Sequence, residues 1–272
     1  MEHYKRLLDA GYDYIELSGK VVCAMSPQEF SAAERAVRDG PLPCKGLVAY
    51  CPPTVIIAGP GYTASAARAY AQTCAERAAR LGAGRVGIGS PLSRTLPDGY
   101  DRELAFQQAV EFFAVTCGAF SEYGIDVCVE PLGYCFCNFI NTLKEGADLQ
   151  KAVGAPNMKM ILDFYNMEKA HEPETDIAEY LPLVAGVHMS DDAGSPWRRW
   201  FLKEDRAAIH RQRVRKLAAL GYKGDLSIEI DLPVDTDAAR QSLSIVKQAV
   251  ADEHSGLLGG NNQWQSANRG KS

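Results

Sequence analysis

The sequence predicts a (β/α)8 barrel, and three observations predict it. Short apolar runs alternate with helical patterns along almost the whole chain. Helices of 10–20 residues between strands of 4–6 make βα units and hence a parallel sheet. Glu130, Asp163, His188 and Glu229 each stand at or just past the C-terminal end of such a run, the end at which barrel strands converge on one mouth. The competing doubly wound sheet calls for a Gly-rich turn after an early strand. No G-x-G-x-x-G occurs; Gly87-Ile88-Gly89 begins one, but position 92 is Leu.

Each element follows in order. Tyr4–Ala10 reads as a helix and Tyr12–Leu17 as a strand. Pro27–Arg38 is helical, with Ser26 as N-cap. Cys44–Tyr50 is a strand, Thr63–Leu81 an Ala-rich helix, and Arg85–Ile88 a strand. Arg102–Tyr123 is helical and closed by Gly124. The strand Ile125–Glu130 precedes a helix over Leu143–Val153. Met158–Asp163 is a strand, with a short helix near Asp176–Tyr180. Val184–His188 leads into a long polar loop and a helix over Glu204–Leu220. Leu226–Glu229 is the last strand, before a helix over Thr236–Ala251. That gives seven strands. The chain starts inside what reads as the first helix, so the opening strand either lies upstream or is missing from the barrel. Residues 1–252 form one barrel domain; 253–272, rich in Gly, Asn and Ser, form a flexible polar tail.

Composition narrows the function. The 272 residues are 46% hydrophobic and 23% charged, which suits one large globular core. A net charge of -5 gives no basic footprint for nucleic acid. No apolar run approaches the roughly 20 residues of a membrane span, and no signal peptide opens the chain. The eight Cys lie mostly inside apolar runs and read as buried thiols of a reducing cytosol, a cytoplasmic setting. Cys135-Phe136-Cys137 is spaced too tightly for the usual zinc pair.

A carboxylate within Val127-Cys128-Val129-Glu130-Pro131 lies in a buried context, where it must pair, coordinate or take up a proton. The bland alternative is a salt bridge, with Asp163 or Glu229 held by an arginine. Four strand-end donors together favour one shared divalent ion. Oxygen and nitrogen ligands without thiolate suit Mn²⁺ first, with Mg²⁺, Co²⁺ or Zn²⁺ as alternatives.

The landmarks LLDAGYDYIEL (7–17), VGIGSPLSRTLPDGYDRE (86–103), VEPLGYCFCNFINT (129–142), MILDFYNM (160–167), GVHMSD (186–191) and LSIEID (226–231) resemble the xylose isomerase-like sugar phosphate isomerase/epimerase family over roughly residues 3–250. The resemblance implies a TIM barrel with metal ligands Glu130, Asp163, His188 and Glu229. It implies that Glu130 and Glu229 are also the catalytic acid/base pair. The ion would polarise neighbouring oxygens of a sugar while a carboxylate removes a C–H proton, giving an enediolate and isomerisation or epimerisation. The runner-up is a lyase of the same site, cleaving C-glycosides of 3-oxo sugars or dehydrating an inosose. An endonuclease IV-like activity would need more histidines at the mouth than His188 among the five present. The family's frequent dimers or tetramers extend the expectation to a homo-oligomer acting on a small-molecule carbohydrate.

Ketose 3-epimerases of the family follow the first glutamate with Asn-Arg and a second glutamate, which Pro131–Phe136 lacks. They place a substrate histidine where this chain has Asn166. Asn166 can still hydrogen-bond a sugar hydroxyl but cannot carry a proton as His can, and further sugar contacts fall on other candidates. Glu16 ends an early strand and can reach the mouth, or else forms a rim salt bridge. Arg94 can bind a phosphate or hydroxyl, or be a solvated charge. His171 can replace the missing histidine, or lie on the surface. Arg198, within Trp197-Arg198-Arg199-Trp200, can help form a sugar platform, or belong to a lid or subunit contact. Tyr134, Phe136 and Phe139 can wall an apolar pocket.

Overall fold

The computed structural model describes residues 2–266, and their side chains except those of 176 and 252–266. Its elements are α1 (Glu2–Ala10), β1 (Ile15–Ser18), α2 (Gly19–Ala24), α3 (Pro27–Arg38), β2 (Cys44–Val48), α4 (Ala64–Leu81), β3 (Arg85–Ile88) and α5 (Arg102–Ser121). They continue with β4 (Asp126–Val129), α6 (Leu143–Val153), β5 (Met158–Asp163), α7 (Phe164–Lys169), α8 (Ile177–Tyr180) and β6 (Val184–Met189). The chain then forms β7 (Asp191–Asp192), β8 (Arg199–Trp200), α9 (Ala207–Ala219), β9 (Asp225–Ile228) and α10 (Thr236–Ser266). Seven parallel strands run in the order β1-β2-β3-β4-β5-β6-β9, while β7 and β8 pair as a small antiparallel ribbon. The barrel is nearly closed. At the seam between β9 and β1, where an eighth strand would lie, Tyr14 Oη and Ser227 Oγ meet at 2.9 Å. Arg85 spans the same seam from inside, pairing with Glu16 on β1 and Asp225 on β9.

All seven strands expected from sequence are present. Their side chains alternate, as strand geometry requires. Leu47, Val86, Ile88, Val127, Val129, Met160, Leu162 and Val187 are fully buried in the core cluster. The interior holds Glu16, Arg85 and Ser227, with Gly46, Gly87 and Gly186 leaving room for them and for the apolar Ile161. α4 buries Ala67, Ala71, Ala75 and Ala78. These small residues let it pack closely on the aromatic face of α5, with Phe112, Phe113 and Phe120. Ser26 caps α3 in a capping box with Glu29, and Gly124 takes the left-handed φ of 67° that ends α5.

Besides the β7–β8 ribbon inside the loop expected after His188, three helices differ from the sequence reading. α2 and α7 are short helices without a readable period, and α7 starts directly on Asp163. α10 continues past Ala251 to Ser266. The flexible tail expected from 253 falls partly on residues 267–272, outside those described. Cys23 and Cys74, expected as thiols, form a disulfide with Cα atoms 5.6 Å apart, because α2 packs against α4. Cys44, Cys51, Cys117, Cys128 and Cys137 are free and buried. No helix among the described residues is long and apolar enough to cross a membrane.

Candidate metal centre and active site

Register fixes the mouth. Asp163 on β5 pairs with His188 on β6, and His188 with Ser227 on β9, two residues before Glu229. Glu130 follows β4 directly, its N–H donating to Ile88 O at 3.2 Å. The four residues Glu130, Asp163, His188 and Glu229 each offer a ligand atom, and these atoms lie within 4.8 Å of one another. Glu130 leans over β3: a Cβ at Gly89 would stand 2.7 Å from Glu130 Oε2. Glycine there is what lets the carboxylate lie where it does.

Second partners orient each group. Asp163 caps α7, its Oδ1 accepting from Tyr165 N at 2.8 Å. Asn166 Nδ2 donates to Glu130 Oε1 at 3.1 Å and to Asp163 Oδ2 at 3.0 Å. His188 Nε2 lies 3.0 Å from Glu16 Oε2. His188 Nδ1 lies 3.6 Å from Glu130 Oε1 and 3.7 Å from Glu229 Oε2. Both Nδ1 and Glu229 Oε2 are buried without a hydrogen-bond partner.

Arg199 enters from β8. Its Nη2 is 2.7 Å from Asp163 Oδ2 and its Nε 3.2 Å from Glu229 Oε2. Nη1 donates to Ser190 Oγ at 2.8 Å. The guanidinium lies over the rings of Tyr165 and Phe136, 4.9 and 5.8 Å from their centroids. The salt bridge weighed from sequence is thus present, alongside the four-ligand cluster.

Arg199 and the His188 ring face more negative charge than they can match. Burial, and then the charge of Glu229, raise the Glu130 carboxyl to about 7. Burial pushes Glu229 the same way, but Arg199 and His188 outweigh it and hold Glu229 low. Burial disfavours a charged His188, yet Glu16 and the other carboxylates keep the ring well above its usual range. Protons and a divalent ion would compete for the same atoms. A cleft of about 190 Å³ opens onto Glu130, Glu229 and Arg199, with Leu132, Phe136 and Lys20 among its walls.

Residues 4–249 match the sequence pattern of the xylose isomerase-like TIM barrel. The chain belongs to that family. In fold, the barrel is similar to D-psicose 3-epimerase from Clostridium cellulolyticum H10, with a TM-score of 0.72 and 15% identity over 91% of this chain and 92% of that one. It is also similar to 3-keto-D-glucoside 4-epimerase from E. coli, with a TM-score of 0.68 and 16% identity over 90% and 92%. An AP endonuclease, family 2, from Brucella melitensis aligns with a TM-score of 0.66 and 20% identity over 89% and 90%. No curated protein matches the chain in sequence.

Within this xylose isomerase-like barrel, the other sequence candidates fall as follows. Glu16 sits below the mouth, with Oε1 on Arg85 and Oε2 on His188. Arg94 is fully buried, not a solvated loop charge, and donates from Nη2 to Glu130 O at 2.6 Å. Asn166 bridges two of the four residues instead of standing free. His171 is exposed in the turn after α7 with φ 54°, and none of the cluster's contacts involves it. Arg198 is exposed, and its neighbour Arg199 enters the site. Phe136 lines the cleft, Phe139 is buried, and Tyr134 is exposed. Sequence reasoning reached Arg199 only as part of the Trp197–Trp200 segment and missed Arg85. An arginine opening the Arg85–Ile88 strand, two residues before a glycine, was the available signal for Arg85.

Proposed function

We propose that the protein is a divalent-metal-dependent isomerase or epimerase of a monosaccharide or its derivative, acting by proton abstraction next to a carbonyl. The observation that carries this reading is His188 Nδ1, a buried ring nitrogen without a hydrogen-bond partner, facing the carboxylates of Glu130 and Glu229. The donor set fits an ion. Its three carboxylates and one imidazole suit Mn²⁺ best, with Mg²⁺, Co²⁺ or Zn²⁺ as alternatives. Glu130, Asp163, His188 and Glu229 would hold it, and it would supply a Lewis acid for adjacent oxygens of the sugar.

The chain's own residues supply the proton chemistry. Glu130 is pushed up and Glu229 down, so their protonation states separate. Two carboxylates with separated acidities are the arrangement by which one takes a proton and the other returns one. Glu130 and Glu229 would together form the pair that takes and returns the proton. Asn166 holds Glu130 and Asp163 in place. Arg199 stacks on Phe136 and Tyr165 at the wall of the cleft, where it can meet developing negative charge on a sugar oxygen. Phe136 and Leu132 give the cleft apolar walls. The cleft is smaller than the 300–1,000 Å³ of drug-sized sites, which favours a single sugar unit.

The test joins two measurements. Mass spectrometry of the purified protein should find about one Mn, Co, Mg or Zn ion per chain, lost in Glu130→Ala. Incubation with ketoses in D₂O should then place deuterium on the carbon next to the carbonyl. No metal, and no uptake of added Mn²⁺, would leave Arg199 as the partner of these carboxylates and overturn the reading.

A further inference from the structure

The barrel floor beneath His188 is built around one arginine. Arg85, on β3, projects into the interior, and glycines on β2 and β6 clear its path. A Cβ at Gly186 would stand 2.9 Å from Arg85 Nε, and one at Gly46 would stand 2.8 Å from Glu16 Oε1 and 3.2 Å from Arg85 Cγ. Arg85 donates from Nε at 3.0 Å and from Nη2 at 2.7 Å, both to Glu16 Oε1. Its Nη1 donates to Asp225 Oδ2 at 2.8 Å, and Lys45 holds the other oxygen of Asp225 at 2.6 Å. The arginine is therefore anchored on both sides. Glu16 Oε2 is left for His188 Nε2.

We infer that Glu16, clamped by Arg85, is a positioning residue that holds a proton on His188 Nε2, so that the nitrogen the ring can free for an ion is Nδ1, which faces Glu130, Asp163 and Glu229. The inference rests on reading those residues as a cation site. An ionised carboxylate only accepts, so the nitrogen facing it must donate. A neutral imidazole with its proton on Nε2 has its lone pair on Nδ1. A carboxylate behind a histidine ligand fixes ring orientation and raises ligand basicity. Arg85 adds a constraint of its own. A guanidinium has only donors, so whatever atom replaces Glu16 Oε1 must accept.

That constraint makes Glu16→Gln informative. The amide oxygen must face Arg85, which turns the NH₂ group toward His188 Nε2. The ring must then accept at Nε2 and carry its proton on Nδ1, where an ion would bind. Mn²⁺ affinity, measured by calorimetry on the purified full chain, should fall about 10–100-fold. Arg85→Met keeps the carboxylate and its acceptor role, so it should bind Mn²⁺ nearly as the unaltered protein does. In the double variant E16Q/R85M the amide can turn over, and binding should recover above that of E16Q alone. A purely structural role for the pair predicts the opposite order, with the double variant weakest, and that order overturns the inference. Equal affinity of E16Q and the unaltered protein also overturns it. Melting in EDTA shows that each variant is folded. Should R85M alone not fold, E16Q against E16Q/R85M still decides, since the double variant leaves no unpaired carboxylate at position 16. An unaltered protein that takes up no Mn²⁺ defeats the cation reading itself, a result distinct from equal binding by E16Q.

Discussion

Two buried histidines use the same chemistry for different ends. His188 and His210 are both 0% exposed, and each has an Nε2 beside a carboxylate and an Nδ1 without a partner. Around His210, on α9, positive and negative groups are matched. Asp191 takes His210 at 2.9 Å, Arg206 at 2.7 Å and the N–H of Lys203 at 2.7 Å. Glu168 takes Arg206 and Arg213, and Glu174 takes Arg213 at 2.7 Å. Around His188, Glu130, Asp163 and Glu229 share Arg199 and the His188 ring, and that ring is also turned toward Glu16. The acidities report the difference. Burial opposes ionisation of Asp191, but His210 and its other partners hold its carboxyl below the ordinary 3.8, whereas Glu130 is raised. Residue types alone do not mark a site. A shortage of positive charge beside an open cleft does, because buried carboxylates without enough partners must recruit a proton or an ion.

The comparison breaks most visibly at Glu229. Glu229→Gln keeps an oxygen for coordination but cannot take a proton. Turnover of the sugar identified by D₂O exchange should fall about 10²–10⁴-fold with the melting temperature nearly kept. Near-normal kcat would remove Glu229 from the proton chemistry. EDTA comes next. An ion bound only by the folded state, present at about 100 times its Kd, stabilises by roughly 2.7 kcal/mol, so chelation should lower melting by several degrees. An unchanged melting curve would place the His188 cluster with the His210 cluster, as structure only.

Asp191→Asn tests the other half. Removing the charge that accepts from His210 and Lys203 N–H and pairs with Arg206 should cost about 2 kcal/mol in urea unfolding, with Mn²⁺ uptake unchanged. The pH dependence has a definite sign. A carboxyl whose folded pKa lies below its unfolded value contributes stability above the unfolded value, here 3.8, and loses it as pH falls through the lower folded value. The unaltered protein should therefore lose its advantage over the Asn variant only below about pH 4. An advantage that vanishes near neutrality would mean that Asp191 does not hold this network.

Much of this was legible in the chain itself. Strand runs show their period, and a donor at a strand's C-terminal end has one destination in a parallel barrel. That is why Glu130, Asp163, His188 and Glu229 could be named before any coordinates. Roles that depend on rotation or register were not legible. Asn166 looked like a sugar contact, yet α7 starts on Asp163 and turns the amide onto Glu130 and Asp163. Glu16 can be read as a mouth contact or a salt bridge; its side chain points down the barrel onto Arg85 and His188, where Arg85 has room because of glycines on other strands. The Cys23–Cys74 pairing depends on how α2 meets α4, across a sequence separation of 51.

The smallest effect separates two adjacent arginines. β7 and β8 have two residues each, too few to show alternation in sequence. Their pairing sets Asp192 opposite Arg199 and Asp191 opposite Trp200. Asp231 then fixes the backbone of Arg199, accepting from its N–H at 2.9 Å. Arg199 thereby faces Asp163, while Arg198, outside the ribbon pairs, is exposed. Arg198→Ala should change urea stability by less than about 0.5 kcal/mol and leave Mn²⁺ affinity and turnover unaltered. A clear loss of sugar affinity in that variant, with kcat retained, would show that the exposed arginine reaches over the cleft when substrate binds, and would return Arg198 to the site.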